Sequence, residues 1–217
     1  SLFLQQVQGW SPSDTGWRLV PQFVATGVVA SQFGRLARRF DVHTLMVAGY
    51  TLIGGSMLLL TLFSADTPYA PMALLFLFLG AGAGLAVPAT STAVMASVPA
   101  QRSGMASATM NALRQAGMLI GIALLGTLMS TRATSLLADS LEHAGLSGAR
   151  QAAVDAVSRH DLHALSSLDA GIAHELLATA LAGGFHAAMA CAGVAGLLAA
   201  GLLLSVRPRA AAVAARA

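Results

Sequence analysis

The sequence predicts an all-α integral membrane protein, on three observations. Of its 217 residues, 56% are hydrophobic and only 10% are charged, whereas roughly a quarter are charged in ordinary soluble domains. The mean hydropathy is +0.70. The apolar residues fall in long blocks separated by short polar ones, the pattern of membrane-spanning helices.

Five blocks are long enough to cross a hydrocarbon core of about 30 Å, which takes about 20 residues. They run from about Trp17 to Gly34, Thr44 to Ser64, Pro71 to Ala96, Ser103 to Ser130 and Gly184 to Ser205. The first is diluted by Arg18, Pro21, Gln22 and Gln32, although an Arg near a helix end can snorkel to the interface. Pro71 suits the start of the third. Ser1 to Val7 reads as the stub of a sixth span, so the chain reads as truncated at its N-terminus.

The resulting organisation is as follows. Residues 1–16 are the end of a preceding span and an outer loop, and 17–130 hold four spans with inner loops at 35–43 and 97–102. Residues 131–183 form an outer loop, 184–205 the last span and 206–217 a tail. Within the long loop, Leu165, Leu168, Ile172 and Leu176 recur at helical spacing and predict an amphipathic helix at the outer surface.

Orientation follows from the arginines, which supply every basic residue of the chain. Arg35, Arg38, Arg39, Arg102, Arg207, Arg209 and Arg216 fall on one side, whereas Arg132, Arg150 and Arg159 fall on the other. The Arg-rich side is therefore expected to be cytoplasmic, with the C-terminus on it.

The arginines are scattered over loops and make no nucleic-acid footprint. Cys191 has no partner for an internal disulfide and reads as a small core residue. His143, His160, His163, His174 and His186 lie in or near the outer loop. Without cysteine or a repeated ligand spacing they read as solvated histidines, not a metal site. No Ser/His pair, zinc-ligand motif or phosphate loop occurs in a plausible context, which argues against an enzyme.

In hydrocarbon the informative residues are those that cost free energy, and Arg114 is the clearest. It lies eleven residues after Ser103, about 16 Å along a helix and near mid-bilayer. Insertion scales charge about 2.5 to 3.5 kcal/mol for such a residue, which marks it as functional by default. Ser107, Asn111, Arg114 and Met118 fall within about 60° of one another on the helix, with Gln115 beside them. This polar stripe is expected to line a cavity, or else to brace a neighbouring broken helix.

In the preceding span Pro88 cannot donate to the carbonyl of Gly84, so a bend is expected there. Gly80 with Gly84, and Gly117 with Gly121, form small-xxx-small pairs that let helices approach closely. With Thr90, Ser91 and Thr92 they suggest a bending helix beside a polar cavity. No carboxylate lies inside the five apolar blocks, so an intramembrane proton carrier must come from elsewhere.

Four stretches resemble the C-terminal part of the major facilitator superfamily, specifically the fourteen-span drug/proton antiporters of the EmrB/QacA group. They are Leu4 to Pro12 with Thr15, Gly16 and Pro21; Gly34 to Phe40; Gly80 to Pro88; and Val98, Pro99, Gly104 to Ser107, Asn111, Arg114, Gln115 and Gly121. The resemblance implies the C-terminal helical bundle of such a transporter, with five complete transmembrane helices plus the end of a sixth. It further implies a missing N-terminal bundle, alternating access, and proton-driven export of lipophilic or cationic drug-like compounds across the inner membrane. The proton is the implied coupling ion, no other cofactor is implied, and a periplasmic adaptor is an implied partner.

In this picture Ser107, Asn111, Arg114 and Gln115 line the transport path, and Gly84 and Pro88 form a hinge. Gly34, Arg35, Arg38, Arg39 and Asp41 resemble the superfamily's cytoplasmic gating loop. The loop departs from the pattern at Arg38, where an acidic residue is typical. Two other readings stay open: a facilitator for metabolite uptake, and a non-transporting membrane module whose outer loop does the work.

Overall fold

The computed structural model describes residues 9–64, 67–146, 148–159 and 170–206. Among them the regular structure is helical: α1 (Pro12–Leu36), α2 (Val42–Leu60), α3 (Tyr69–Ala96), a 3-10 turn (Ala100–Arg102), α4 (Ser103–His143), α5 (Ala149–Arg159) and α6 (Ala170–Ser205). Four of these segments are long and apolar enough to cross a membrane: Val42–Leu60, Tyr69–Ala96, Ala100–His143 and Gly171–Ser205. α1 has 25 residues, about 37 Å at 1.5 Å per residue, but its polar residues keep it below that mark. The stub at Ser1 to Val7 lies outside the described residues.

Local chemistry sets the helix ends. Ser11 caps α1: its Oγ accepts from the Asp14 amide at 3.1 Å and donates to Asp14 Oδ2 at 2.7 Å, a reciprocal cap with Pro12 at the first helical position. α4 ends at Gly145, whose φ of 79° suits glycine. There the Leu146 amide reaches back to the Leu141 carbonyl at 3.0 Å, as in a Schellman cap.

Two helices outrun the apolar blocks. α4 does not stop at Ser130, and α6 begins at Ala170 rather than Gly184. Nothing between Thr131 and His143 breaks a helix, since Pro and Gly are absent and Ala and Leu recur. The 41 residues of α4 extend about 60 Å, twice the hydrocarbon thickness. Much of the supposed loop is therefore continuous helix, and α5 is a further helix that the sequence pattern did not indicate. Of the expected amphipathic stretch, Leu165 and Leu168 lie outside the described residues, while Ile172 and Leu176 belong to the first turns of α6.

The chain packs as two units. The first takes the described residues of Ser1–Val20, Leu58–Met72 and Met118–Ala192. Its interior includes Ala133, Leu137 and Leu141 at four-residue spacing on α4, and Ala149, Ala153 and Ala156 on α5. Gly184 of α6 meets the Met129 carbonyl and Ala133 of α4, leaving no room for a side chain. His186, expected in solvent, is half-buried, with its Nε2 2.7 Å from the Phe63 carbonyl. Cys191, expected in the core, is exposed.

Arg18 in this unit stacks on two aromatic rings, 3.6 Å from the Trp10 centroid and 4.7 Å from that of Tyr69. The Tyr69 hydroxyl also donates to the Arg18 carbonyl at 2.8 Å. This clamp joins the start of α3 to α1. A half-buried cation–π contact contributes about 1 kcal/mol, so Trp10→Ala should lower the thermal midpoint by about 2 to 4 °C. Trp17→Ala, which removes a ring 76% exposed, should leave it unchanged; equal midpoints for the two variants would refute the clamp.

The second unit takes Pro21–Met57, Ala73–Gly117 and the described residues of Gly193–Ala217. Glycines bring its helices into backbone contact. A Cβ on Gly80 of α3 would collide with the Gln22 carbonyl of α1, and one on Gly84 would stand 2.8 Å from the Thr26 carbonyl. On the other side of α3, a Cβ added at Gly82 would stand 2.8 Å from the Gly49 carbonyl of α2, and one added at Gly54 of α2 would stand 2.8 Å from the Gly193 carbonyl of α6. The order of contact is therefore α1, α3, α2, α6. The close approach expected of Gly80 and Gly84 is present, whereas Gly117 and Gly121 have nothing within 4 Å. Phe33, Leu45, Met46 and Ala89 form a small core, and His43 Nε2 lies 2.8 Å from the Leu203 carbonyl.

Candidate functional site

Within the second unit α2, α3 and the first part of α4 line a half-open cavity of about 920 Å³. α2 contributes Tyr50 and Ile53; α3 contributes Ala83, Ala86, Val87, Thr90, Ser91 and Val94. The turn between α3 and α4 adds Ser97, Val98, Pro99 and Arg102, and α4 adds Met105, Ala106, Thr109, Met110, Leu113 and Arg114. This is a mostly apolar wall with a few polar groups, the usual make-up of a small-molecule site.

The cavity exists because α4 stands apart from its neighbours. No part of its most apolar stretch is buried, and a Cβ added at Gly104 or Gly117 would meet nothing from another helix within 4 Å. α3 contributes its Ala-rich face beside Gly84, where small side chains leave space.

Hydroxyls at the cavity are internally engaged. Thr90 donates to the Ala86 carbonyl at 2.7 Å and Ser91 to the Val87 carbonyl at 3.0 Å. With the Thr90 proton so used, the Tyr50 hydroxyl at 3.3 Å is the donor in their contact. Thr92 donates to the Pro88 carbonyl at 2.8 Å. Three successive bonds of this kind flank Pro88, the arrangement that tends to bend helices. α3 nonetheless runs as one uninterrupted helix from Tyr69 to Ala96, with Pro88 inside it.

Of the polar stripe, only Arg114 reaches the cavity. It donates from Nη2 to Asn111 Oδ1 at 2.9 Å, so Asn111 orients the guanidinium from one turn away. Ser107 and Gln115 lie on the same helix outside the cavity wall. Gly84 and Pro88 sit on α3 without lining it, between Ala83, Ala86 and Val87, which do.

The structure adds Arg102, Thr109, Ser97 and Tyr50 to the site. Arg102 was readable only as an inner-loop charge, and Thr109 lies on nearly the opposite face of α4 from Ser107 and Asn111. No sequence signal marks Tyr50, whose role comes from packing.

At the other candidate, Gly34 and Arg35 end α1, and Arg38, Arg39 and Asp41 are exposed in the turn to α2. Arg35 donates to Gln32 Oε1 at 2.6 Å. The Asp41 carbonyl accepts the Leu45 amide at 3.1 Å and so starts α2.

The family model described as Major Facilitator Superfamily matches residues 1–138, well over half of the chain. The chain belongs to the Major Facilitator Superfamily. Among relatives of this facilitator chain is a Mycobacterium tuberculosis protein named multidrug resistance protein Stp, 33% identical over 160 residues, 74% of this chain and 28% of that protein. A Bacillus subtilis methylenomycin A resistance protein is 35% identical over 137 residues, 62% of this chain and 29% of that protein. A tetracenomycin C resistance and export protein of Streptomyces glaucescens is 28% identical over 214 residues, 95% of this chain and 40% of that protein. The facilitator chain thus spans less than half the length of these relatives. Its apolar helices make it a multi-pass membrane protein.

Proposed function

We propose that this chain is the C-terminal bundle of a proton-driven exporter of lipophilic compounds, set in the cytoplasmic membrane with its C-terminus inside. The observation that carries the reading is the apolar cavity with Arg114 in its wall, on a helix whose length and hydropathy suit a membrane span. The names of the relatives, which refer to resistance and export, support the direction of transport.

In this mechanism Arg114 faces the transport path from the cavity wall with Asn111 orienting it, Ser107 and Gln115 border the path outside that wall, and Gly84 and Pro88 permit α3 to flex. Gly34, Arg35, Arg38, Arg39 and Asp41 form the inner gate. The missing N-terminal bundle supplies the opposite wall and the proton-carrying carboxylate, since α4 and its neighbours in the second unit carry none within their apolar stretches. Alternating access of the two bundles then carries the compound outward. In a two-membrane bacterium a periplasmic adaptor takes over the exported compound.

The test is accumulation of a panel of lipophilic fluorophores in cells stripped of their own pumps. Cells making the protein should hold several-fold less dye, and a protonophore should abolish the difference. Equal accumulation with and without the protein would sink the exporter reading, and persistence after collapse of the proton gradient would sink the coupling.

A further inference from the structure

We propose that the cavity between α2, α3 and α4 selects lipophilic anions, with the acidic group of the ligand held by Arg114 and its apolar body against residues such as Ile53, Met110 and Leu113. The inference deepens the exporter reading and rests on it for the cavity's role. It narrows the substrate class that the family resemblance implied, away from cations.

The first ground is charge. Arg102 and Arg114 both line the cavity, and from Ala73 to Gly117 the sequence contains no Asp or Glu. A guanidinium stays ionised at any physiological pH. On this wall a cationic ligand beside Arg114 meets a like charge that no acid of α2, α3 or the first part of α4 offsets. An anion meets the opposite situation.

The second ground is the inventory of donors. Among the described residues the one side-chain bond of Arg114 is to Asn111 Oδ1. A guanidinium has five N–H groups, so most of its fork is available to a carboxylate, which it recognises in bidentate fashion. Asn111, outside the cavity wall, holds the guanidinium through its Oδ1 and leaves the other N–H groups of Arg114 to a ligand. The hydroxyls of Thr90 and Ser91 are bonded within α3 and are neutral, so they do not change the sign of the site.

The experiment compares two probes with one apolar body and opposite charge: naphthalene-2-carboxylate and naphthalen-2-ylmethylammonium. Their affinities are measured on the natively expressed, purified protein in nanodiscs of phosphatidylcholine. The carboxylate should bind at least tenfold more tightly, a preference that needs no variant to be read. Arg114→Met should erase it and Arg114→Lys should keep most of it. Equal affinities, tighter binding of the ammonium, or a preference that survives Arg114→Met would overturn the proposal.

An acidic phospholipid headgroup and a soluble acid share this chemistry, and a second arm separates them. If phosphatidylglycerol in the nanodisc displaces the carboxylate probe, the anion held is a lipid; if the probe still binds, it is a solute. Both results uphold anion selection. Equal binding of the two probes with efflux intact overturns the charge preference alone, whereas binding of neither together with no efflux overturns the exporter reading as well.

Discussion

Gly80→Leu should leave little correctly folded protein, with a thermal midpoint at least about 6 to 12 °C below that of the native chain. The Cβ at position 80 would fall on the Gln22 carbonyl, and a main-chain atom inside a helix cannot swing aside as a side chain does. The same contact is bridged by Thr26, whose Oγ1 lies 2.9 Å from the Gln22 carbonyl and 3.0 Å from the Gly80 carbonyl. Overpacking typically costs about 1 to 3 kcal/mol, and a collision with backbone belongs at about 3 kcal/mol or above. Gly121→Leu is the matched control: position 121 has nothing within 4 Å, so the shift should stay within about 0.5 kcal/mol. Midpoints read by size-exclusion fluorescence on heated samples decide the matter, and similar values for the two variants would contradict the packing of α1 on α3.

Arg114→Ala should separate insertion from activity. Removing a charge from mid-span relieves an insertion cost of about 2.5 to 3.5 kcal/mol, so the amount of protein in the membrane should equal or exceed that of the native chain. Export of the compounds that the native protein clears should meanwhile fall about tenfold, the loss expected when a charge-assisted contact of about 1.5 kcal/mol or more is removed. Quantitative blotting of membranes beside dye-efflux rates in the same cells reads both. Unchanged efflux would remove Arg114 from the transport path, and a collapse in membrane content would make its role structural.

The helices were legible in the sequence wherever apolar blocks were long, because the need to satisfy every backbone group in hydrocarbon leaves a helix as the only solution for such a block. The far end of α4 was not. Arg132, Asp139 and Glu142 look like the charges of a loop, yet they sit among strong helix formers, so polarity marked the end of the apolar stretch and not the end of the helix. Gly80 with Gly84 and Gly117 with Gly121 have the same spacing, and only the first pair meets a neighbour. Spacing reports that a close approach is sterically allowed, whereas the partner helix decides whether it happens.

Arg114 stood out from its cost in hydrocarbon, and the structure brings it to the cavity wall. The rest of the wall was hidden for a different reason. Tyr50, Thr109 and Arg102 are ordinary residues on their own elements and become one surface only when α2, α3 and α4 come together. His186 likewise gave no sign of its bond to the Phe63 carbonyl, which joins residues more than a hundred positions apart.

The glycine contacts running from α1 through α3 and α2 to α6 have a mechanical meaning. Where main chain rests on main chain there are no rotamers to rearrange, so relative sliding of these helices must shift whole backbones at once and is stiff. The first part of α4 has no such seam, because Gly104 and Gly117 touch nothing. It forms the looser wall of the cavity, so on the exporter reading proposed above compounds of different girth would be accommodated at the first part of α4 while the four seamed helices keep their spacing.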